Sequence, residues 1–152
     1  MQWSCQRLDE LGSLALYQIL ALRSEVFVVE QACVYLDPDG LDLQTWHLQG
    51  RGDDGRLQAY ARLVPPLTKG AQQTKPMIGR VVTAPGARGA GQGRALMRQA
   101  MAECERLWPG QAIDINAQLY LQGFYASLGF VVTSEAYDED GIQHIDMSKA
   151  GT

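Results

Sequence analysis

The stretch VVTAPGARGAGQGRALM, residues 81–97, sets four glycines (Gly86, Gly89, Gly91, Gly93) and two arginines (Arg88, Arg94) between an apolar run and a segment of helical character. A strand that empties into such a loop and then a helix presents unpaired backbone N–H groups at the helix's positive end. That geometry attracts phosphate oxygens. A tight strand-to-helix turn needs glycine only where its backbone angles are unusual. One glycine meets that need, whereas four within eight residues, beside two arginines, exceed it. The loop therefore reads first as a phosphate cradle and second as a plain turn.

Outward from the loop, MIGRVVT (77–83) reads as the strand that feeds it. From Gly93 to Trp108 the apolar positions Leu96, Met97, Ala100, Met101, Cys104 and Leu107 form one helical face, and Pro109-Gly110 stops the helix. AIDINAQ (112–118) alternates Ile113, Ile115 and Ala117 against Asp114, Asn116 and Gln118, the pattern of a half-buried strand. LYLQGFYASLG (119–129) reads as a short helix capped by Gly129, and FVVTSEAY and IQHIDMS around DEDG as a closing hairpin. On the N-terminal side, Ala15, Ile19, Leu22 and Val26 recur at helical spacing from Leu11 to Val28, with Ser13 expected as N-cap. VFVVEQ ends that helix, DPDGLD follows as a turn-rich connector, and TWHLQG and RLQAYARLV flank a hairpin turn at Asp54-Gly55. PPLTKGAQQTKP is a loop. The order predicts a mixed α/β chain, an antiparallel meander with one βαβ unit at its centre.

At 152 residues the chain is expected to form a single domain, 1–152, around one core. With 46% hydrophobic and 20% charged residues and a net charge of −4, it has the balance of a globular protein and no global affinity for nucleic acid. MQWSCQRLDE is not a signal peptide, and LALYQILAL is far shorter than the ~20 residues of a membrane span. Cys5, Cys33 and Cys104 are odd in number and far apart, which argues against a disulfide framework or a zinc site and for a reducing, cytoplasmic setting. Asp37, Asp39 and Asp42 hint at calcium, but position twelve counted from Asp37 is Leu48 where an EF-hand needs Glu, so no metal is expected.

Two phosphate motifs fail on this loop. A nucleotide-hydrolysing P-loop requires Lys then Ser or Thr after its last glycine, and here Gly91 precedes Gln92 and Gly93. A dinucleotide GxGxxG beginning at Gly89 and Gly91 would put its third glycine at Arg94. The pattern that does fit is Arg-x-x-Gly-x-Gly, met by Arg88, Gly91 and Gly93. It resembles the acetyl-CoA pyrophosphate loop of the GNAT N-acetyltransferase superfamily. AQLYLQGFYASLGF resembles that family's last conserved motif, with Tyr125 ahead of Gly129-Phe130 and Gln118 where many members carry Asn. RSEVFVVEQACVYLDPDGLD, YARL, IGRVV and YDEDGIQHIDM extend the likeness over nearly the whole chain, toward the ElaA-like acetyltransferases.

The resemblance implies the GNAT acyl-CoA N-acyltransferase fold: a mostly antiparallel sheet with a central, splayed parallel strand pair flanked by helices. It implies acetyl transfer from acetyl-CoA to a small-molecule or peptidic amine. The cofactor would lie along Val81, Val82 and Thr83, with its pyrophosphate on the amides of Arg88, Gly89, Ala90, Gly91, Gln92, Gly93 and Arg94, near Gln118 and Tyr125. A backbone N–H near Val82 is the implied donor to the thioester carbonyl. Tyr125 is the expected general acid, its alternative reading being an aromatic that fills a helix's buried face.

Where many relatives place a Glu on the central strand, this chain offers only Arg80, so the base stays open among His144, His47, Glu30, Asp42, Asp114 and a water chain. The acidic residues in or beside the connector and the closing hairpin (Glu30, Asp37, Asp39, Asp42, Asp138, Glu139, Asp140) would attract a cationic amine, although Asp-Pro-Asp-Gly and Asp-Glu-Asp-Gly are also ordinary turn chemistry. Cys33 and Cys104 read as small apolar residues. Homodimerisation is carried over from relatives, and a non-catalytic acyl-CoA-binding module is the rival reading.

Overall fold

The computed structural model describes residues 1–152. Eight strands make one sheet: β1 (Gln2–Arg7), β2 (Trp46–Arg51), β3 (Leu57–Val64), β4 (Met77–Thr83), β5 (Ile113–Gln118), β6 (Val131–Val132), β7 (Tyr137–Glu139) and β8 (Ile142–Lys149). Their spatial order is β1-β2-β3-β4-β5-β8-β6, and β7 pairs with the other end of β8. Every pair is antiparallel except β4–β5. The helices are α1 (Leu8–Leu11), α2 (Ser13–Arg23), α3 (Gln92–Leu107) and α4 (Gln122–Ala126). The mixed sheet with its single central βαβ unit is the predicted architecture.

Alternation along β3 divides the interior. Ala59, Ala61 and Leu63 face the larger core with Leu96, Met97 and Ala100 of α3 and Ile113, Ile115 and Ala117 of β5. Tyr60 faces the smaller one, with Ile19 and Leu22 of α2, Val26 and Val82. The apolar stripes read from α3 and β5 are the surfaces that close the larger core.

Several expectations need correction. Ser13 does not cap α2: it is the first helical residue, and Gly12, with φ 80°, occupies the cap with no side-chain bond. VFVVEQ does end the helical winding, at Glu30, but from Ser24 onward that winding is π-helical and not α-helical. Such windings mark places where an extra residue is accommodated, often beside a site. FVVTSEAY is not one strand, since β6 and β7 are separated by residues 133–136 and lie against opposite ends of β8. The strand β1 was not anticipated, although Trp3 and Cys5 alternate onto the core. The Asp54-Gly55 turn is as expected, with Gly55 at φ 79°.

Candidate active site

The centre of the sheet parts at β4–β5. The only registered pair between these parallel strands is Met77 with Asp114, at their N-terminal ends. Beyond it they diverge, and a cavity of about 720 Å³ opens between them. On its other side, β4 carries a bulge in which Arg80 and Val81 together oppose Ala61 of β3, with Arg80 at φ 49°. A bulge drops its extra residue out of the ladder and leaves backbone groups unpaired. This one lies immediately before Val82, in the cavity wall.

The glycine loop leaves β4 at the cavity's edge. Gly89 (φ 94°) and Gly91 (φ 73°) hold left-handed backbone, so these two glycines are required by conformation. Gly91 caps the 16-residue α3, whose leading N–H groups have no partner within the helix. Arg94 donates to Ser127 Oγ at 3.0 Å and stacks over Phe124. Arg88 reaches across to Glu30 of the π-helical segment in a two-pronged ion pair, 2.7 and 3.1 Å. Gln118 at the end of β5 donates to Gln31 at 3.1 Å, a second tie across the same cleft.

Tyr125 is 6% exposed on α4, edge-on to Phe124 and Phe130, and lines the cavity. Burial, with a smaller contribution from Tyr120, pushes its phenol up to about 12, so it stays protonated near neutrality. His144 on β8 also lines the cavity. Its Nδ1 lies 2.8 Å from the carbonyl oxygen of Ile142, which can only accept, so Nδ1 carries the hydrogen. In the neutral ring Nε2 then keeps its lone pair, 3.6 Å from Glu139. His47 is different. It is fully buried, with Nε2 on the Asp42 carbonyl oxygen at 3.0 Å and Nδ1 on the Tyr60 hydroxyl at 2.7 Å. Burial lowers its pKa against the opposing pull of Asp42, which keeps the ring neutral and occupied.

The connector after α2 holds the least anticipated feature. Arg23 is completely buried, its Nε 2.8 Å from Asp37 and its Nη1 2.8 Å from Asp42. Arg62 of β3, 2% exposed, binds Asp39 at 2.8 Å and Asp42 at 3.2 Å. Arg80 lies 2.9 Å from Asp37 and 3.3 Å from Asp39, over the ring of Tyr35, whose hydroxyl donates to Asp37. Three arginines thus match three aspartates. Burial by itself would raise the Asp39 carboxyl, but the hydrogen bond and charge of Arg62 hold it at about 2, and Arg23 and Arg62 lower Asp42 against the same penalty. The expectation that these aspartates attract a cationic amine is corrected: their charge is already answered inside the protein.

The family model of the acetyltransferase (GNAT) domain matches residues 65–150. The chain belongs to the GNAT acetyltransferase family. A UPF0039 protein of Synechocystis sp. is 46% identical over 147 residues, covering 97% of this chain and 94% of the relative. Protein ElaA of Escherichia coli is 40% identical over 152 residues, 98% of this chain and 96% of ElaA, and its crystal structure superposes with a TM-score of 0.88. The crystal structure of an acyl-CoA N-acyltransferase from Pseudomonas aeruginosa, 43% identical, superposes with a TM-score of 0.90 over 99% of this chain and 100% of that one. The ElaA-like resemblance and the GNAT fold are both borne out.

Of the residues singled out in the sequence of this GNAT chain, Val81, Val82, Thr83, Arg88, Gln118, Tyr125 and His144 line one cavity. Gly89, Ala90, Gly91, Gln92, Gly93 and Arg94 form the loop and helix start beyond Arg88. Glu30 stands at the same cavity but is paired with Arg88, and Asp114 lies 3.9 Å from Lys75. His47 and Asp42 lie in the buried network and do not line the cavity. Sequence reasoning missed Arg23, Arg62, Tyr35 and Lys69. A signal existed for Arg23, which falls four residues after Ile19 on the apolar stripe of α2, where a solvated charge does not belong.

Proposed function

We propose that this protein is an acetyl-CoA-dependent N-acetyltransferase whose cosubstrate lies in the cleft between β4 and β5. One observation carries the reading: the splayed parallel pair opens onto a left-handed Gly89–Gly91 loop at the N-terminus of a 16-residue helix. Unpaired amides at the positive end of a helix suit a pyrophosphate, and the strand gap suits an extended pantetheine arm. Acetyl-CoA supplies an activated thioester.

The residues of this chain have separable tasks. The α3 amides and Arg88 bind the phosphates, which requires Arg88 to leave Glu30. Backbone N–H at the β4 bulge, next to Val82, is placed to stabilise charge on the carbonyl oxygen, a type of contact worth about 3 kcal/mol where it has been removed. His144 Nε2 accepts the amine's proton directly or through water. Tyr125 returns a proton to the leaving sulfur; the apolar wall that raises its phenol would also raise a thiol held against it. Arg80 stands on the strand where a carboxylate base is common in relatives, and its engagement with Asp37 favours a rival reading, a non-catalytic acyl-CoA-binding module.

Thermal midpoints with acetyl-CoA, CoA, ATP and NAD, followed by assay of CoA release with amines, test the reading. A ligand at 100 times its Kd adds about 2.7 kcal/mol of stability. A shift with the CoA species alone, plus turnover, is expected. A shift without turnover on any amine selects the rival, and no shift rejects both.

A further inference from the structure

The far end of the same cavity is not lined evenly. On the β3–β4 side stand Arg62, Arg80 and Lys69, against the single lining carboxylate of Asp39. Asp39 is already engaged by both guanidinium groups. Asp37 and Asp42, which balance the rest of the network, lie behind this wall and do not line the cavity. Lys69 forms no ion pair with any carboxylate of the protein and is the one lining cation without one. Arg62, although 2% exposed, leaves its Nε without a hydrogen-bond partner. Arg80 Nε is likewise unsatisfied, since it approaches Asp37 but is misaligned to donate.

The backbone that carries Lys69 is held in place, while its side chain is exposed. Its backbone N–H donates to Gln73 Oε1 at 2.9 Å, Gln73 Nε2 donates to the Pro65 carbonyl at 3.0 Å, and Leu67 N–H donates to the Gln73 carbonyl at 2.7 Å. The 65–76 loop is thus a closed, self-bonded platform that presents one ammonium to the cavity. Partial enclosure, and then the charges of Arg62 and Arg80, lower the pKa of that ammonium, while Asp39 and Glu139 oppose the shift. With Lys69, Arg62 and Arg80 against Asp39 alone, the lining around Lys69 is electropositive, and Glu139 of the β7–β8 hairpin lines the same cavity. That facing wall carries Glu139, Asp140 and His144.

We propose that the acceptor end of this cavity selects an amine that also carries a carboxylate, the carboxylate lying against Lys69 on the Arg62–Arg80 wall and the ammonium against Glu139 and Asp140. A carboxylate there meets the unpaired ammonium of Lys69 and relieves the excess positive charge of its wall. The facing acidic hairpin holds the amine beside His144 Nε2, which takes its proton. A plain diamine would instead bring a second positive charge against Lys69, Arg62 and Arg80. The inference rests on the acetyltransferase reading and narrows its acceptor to zwitterionic amino acids and peptides with a nearby carboxylate.

The test is CoA release with a panel of α- and ω-amino acids, each against its own amide, together with putrescine and cadaverine. The amide removes only the negative charge, and its amine is the easier one to deprotonate, so a carboxylate preference runs against intrinsic reactivity. The expected result is at least a tenfold higher kcat/KM for acid over amide, which corresponds to about 1.4 kcal/mol. Lys69→Glu should bring the two within about twofold, Lys69→Arg should keep the preference, and the acetyl-CoA midpoint shift should persist in both. Amides or diamines turned over as well as acids, or an undiminished preference in Lys69→Glu, overturns the proposal. Loss of the acetyl-CoA shift in Lys69→Glu also overturns it, by moving Lys69 to the cofactor. Turnover of no panel member while acetyl-CoA still shifts the midpoint overturns the acceptor class and leaves the CoA site standing. Absence of that shift in the unaltered protein removes the underlying reading.

Discussion

The glycine loop and the aspartate connector border one cavity and are built on opposite principles. Residues 86–91 are mostly exposed, and apart from the Arg88–Glu30 pair and the Ala87 N–H most of their polar atoms are left open at the start of α3. Residues 37–42 carry three aspartates, yet each is held by arginines from α2, β3 or β4. The region proposed to receive a ligand keeps most of its hydrogen-bonding capacity unfilled. A region made to hold the wall rigid fills it internally. Local composition alone does not tell these cases apart; what differs is whether partners arrive from elsewhere in the chain.

The strongest way to break this contrast is Arg23→Ala. Removing one partner from a buried ion network strands the remaining charges and costs about 3–5 kcal/mol. Asp37 and Asp42 lose Arg23, so the urea midpoint should fall by that equivalent with an unchanged denaturant slope. A loss below about 1 kcal/mol would mean that the network contributes little to stability. On the other side of the comparison, Gly91→Glu places bulk and negative charge at a left-handed position where the phosphates would sit. Acetyl-CoA affinity should drop more than about 100-fold, erasing a midpoint shift of about 2.7 kcal/mol, while the unliganded protein remains folded. Retained affinity would mean that the loop is not the site.

Tyr125→Phe sharpens the assignment of tasks within the cavity. Turnover should fall about 100-fold, a common size for loss of a general acid, with acetyl-CoA affinity nearly unchanged. Equal turnover would return Tyr125 to an aromatic that packs between Phe124 and Phe130.

Acidification should act on the connector before the loop. His47 is held neutral with its pKa lowered, so the unfolded chain takes up the proton first and stability declines as pH falls below about 6.5. Asp39, lowered from 3.8 to about 2, contributes in full above 3.8, and its contribution is lost as pH falls from there through 2. Urea midpoints at pH 7.5, 5 and 3 should decrease in two stages, and a flat profile would contradict both assignments. The smallest effect is expected from Glu30→Gln, which frees Arg88 for phosphate. Exposed ion pairs are weak, so acetyl-CoA affinity should rise at most about fivefold, as read by titration calorimetry. A decrease would show that the pair props the cleft open.

Legibility in the sequence followed the range of the interactions. The stripe on α3 and the alternation of β5 depend on neighbours within a turn or two and were readable, as was the hairpin at Asp54-Gly55. The strand β1 escaped because six residues with only Trp3 and Cys5 alternating make a short signal at a sheet edge. The two halves of FVVTSEAY could not be told from one strand, because β6 and β7 are separated only by where β8 accepts them. Tyr125 and the Arg88–Arg94 segment were singled out because a family motif fixes their spacing, and Arg88 and Tyr125 line the cavity. Arg62 and Lys69 belong to no such motif.

By itself the sequence determined the order of most elements, the apolar faces of α3 and β5 and the turn at Asp54-Gly55. These follow from local conformational preference and apolar periodicity. Tertiary structure decided which charges are free. Asp37 and Asp42 find Arg23 from 14 and 19 residues away, and Asp39 finds Arg62 from 23. Only the folded sheet brings them within 3 Å, because the Coulombic and desolvation terms that pair buried charges depend on distance in space and not on position in the chain.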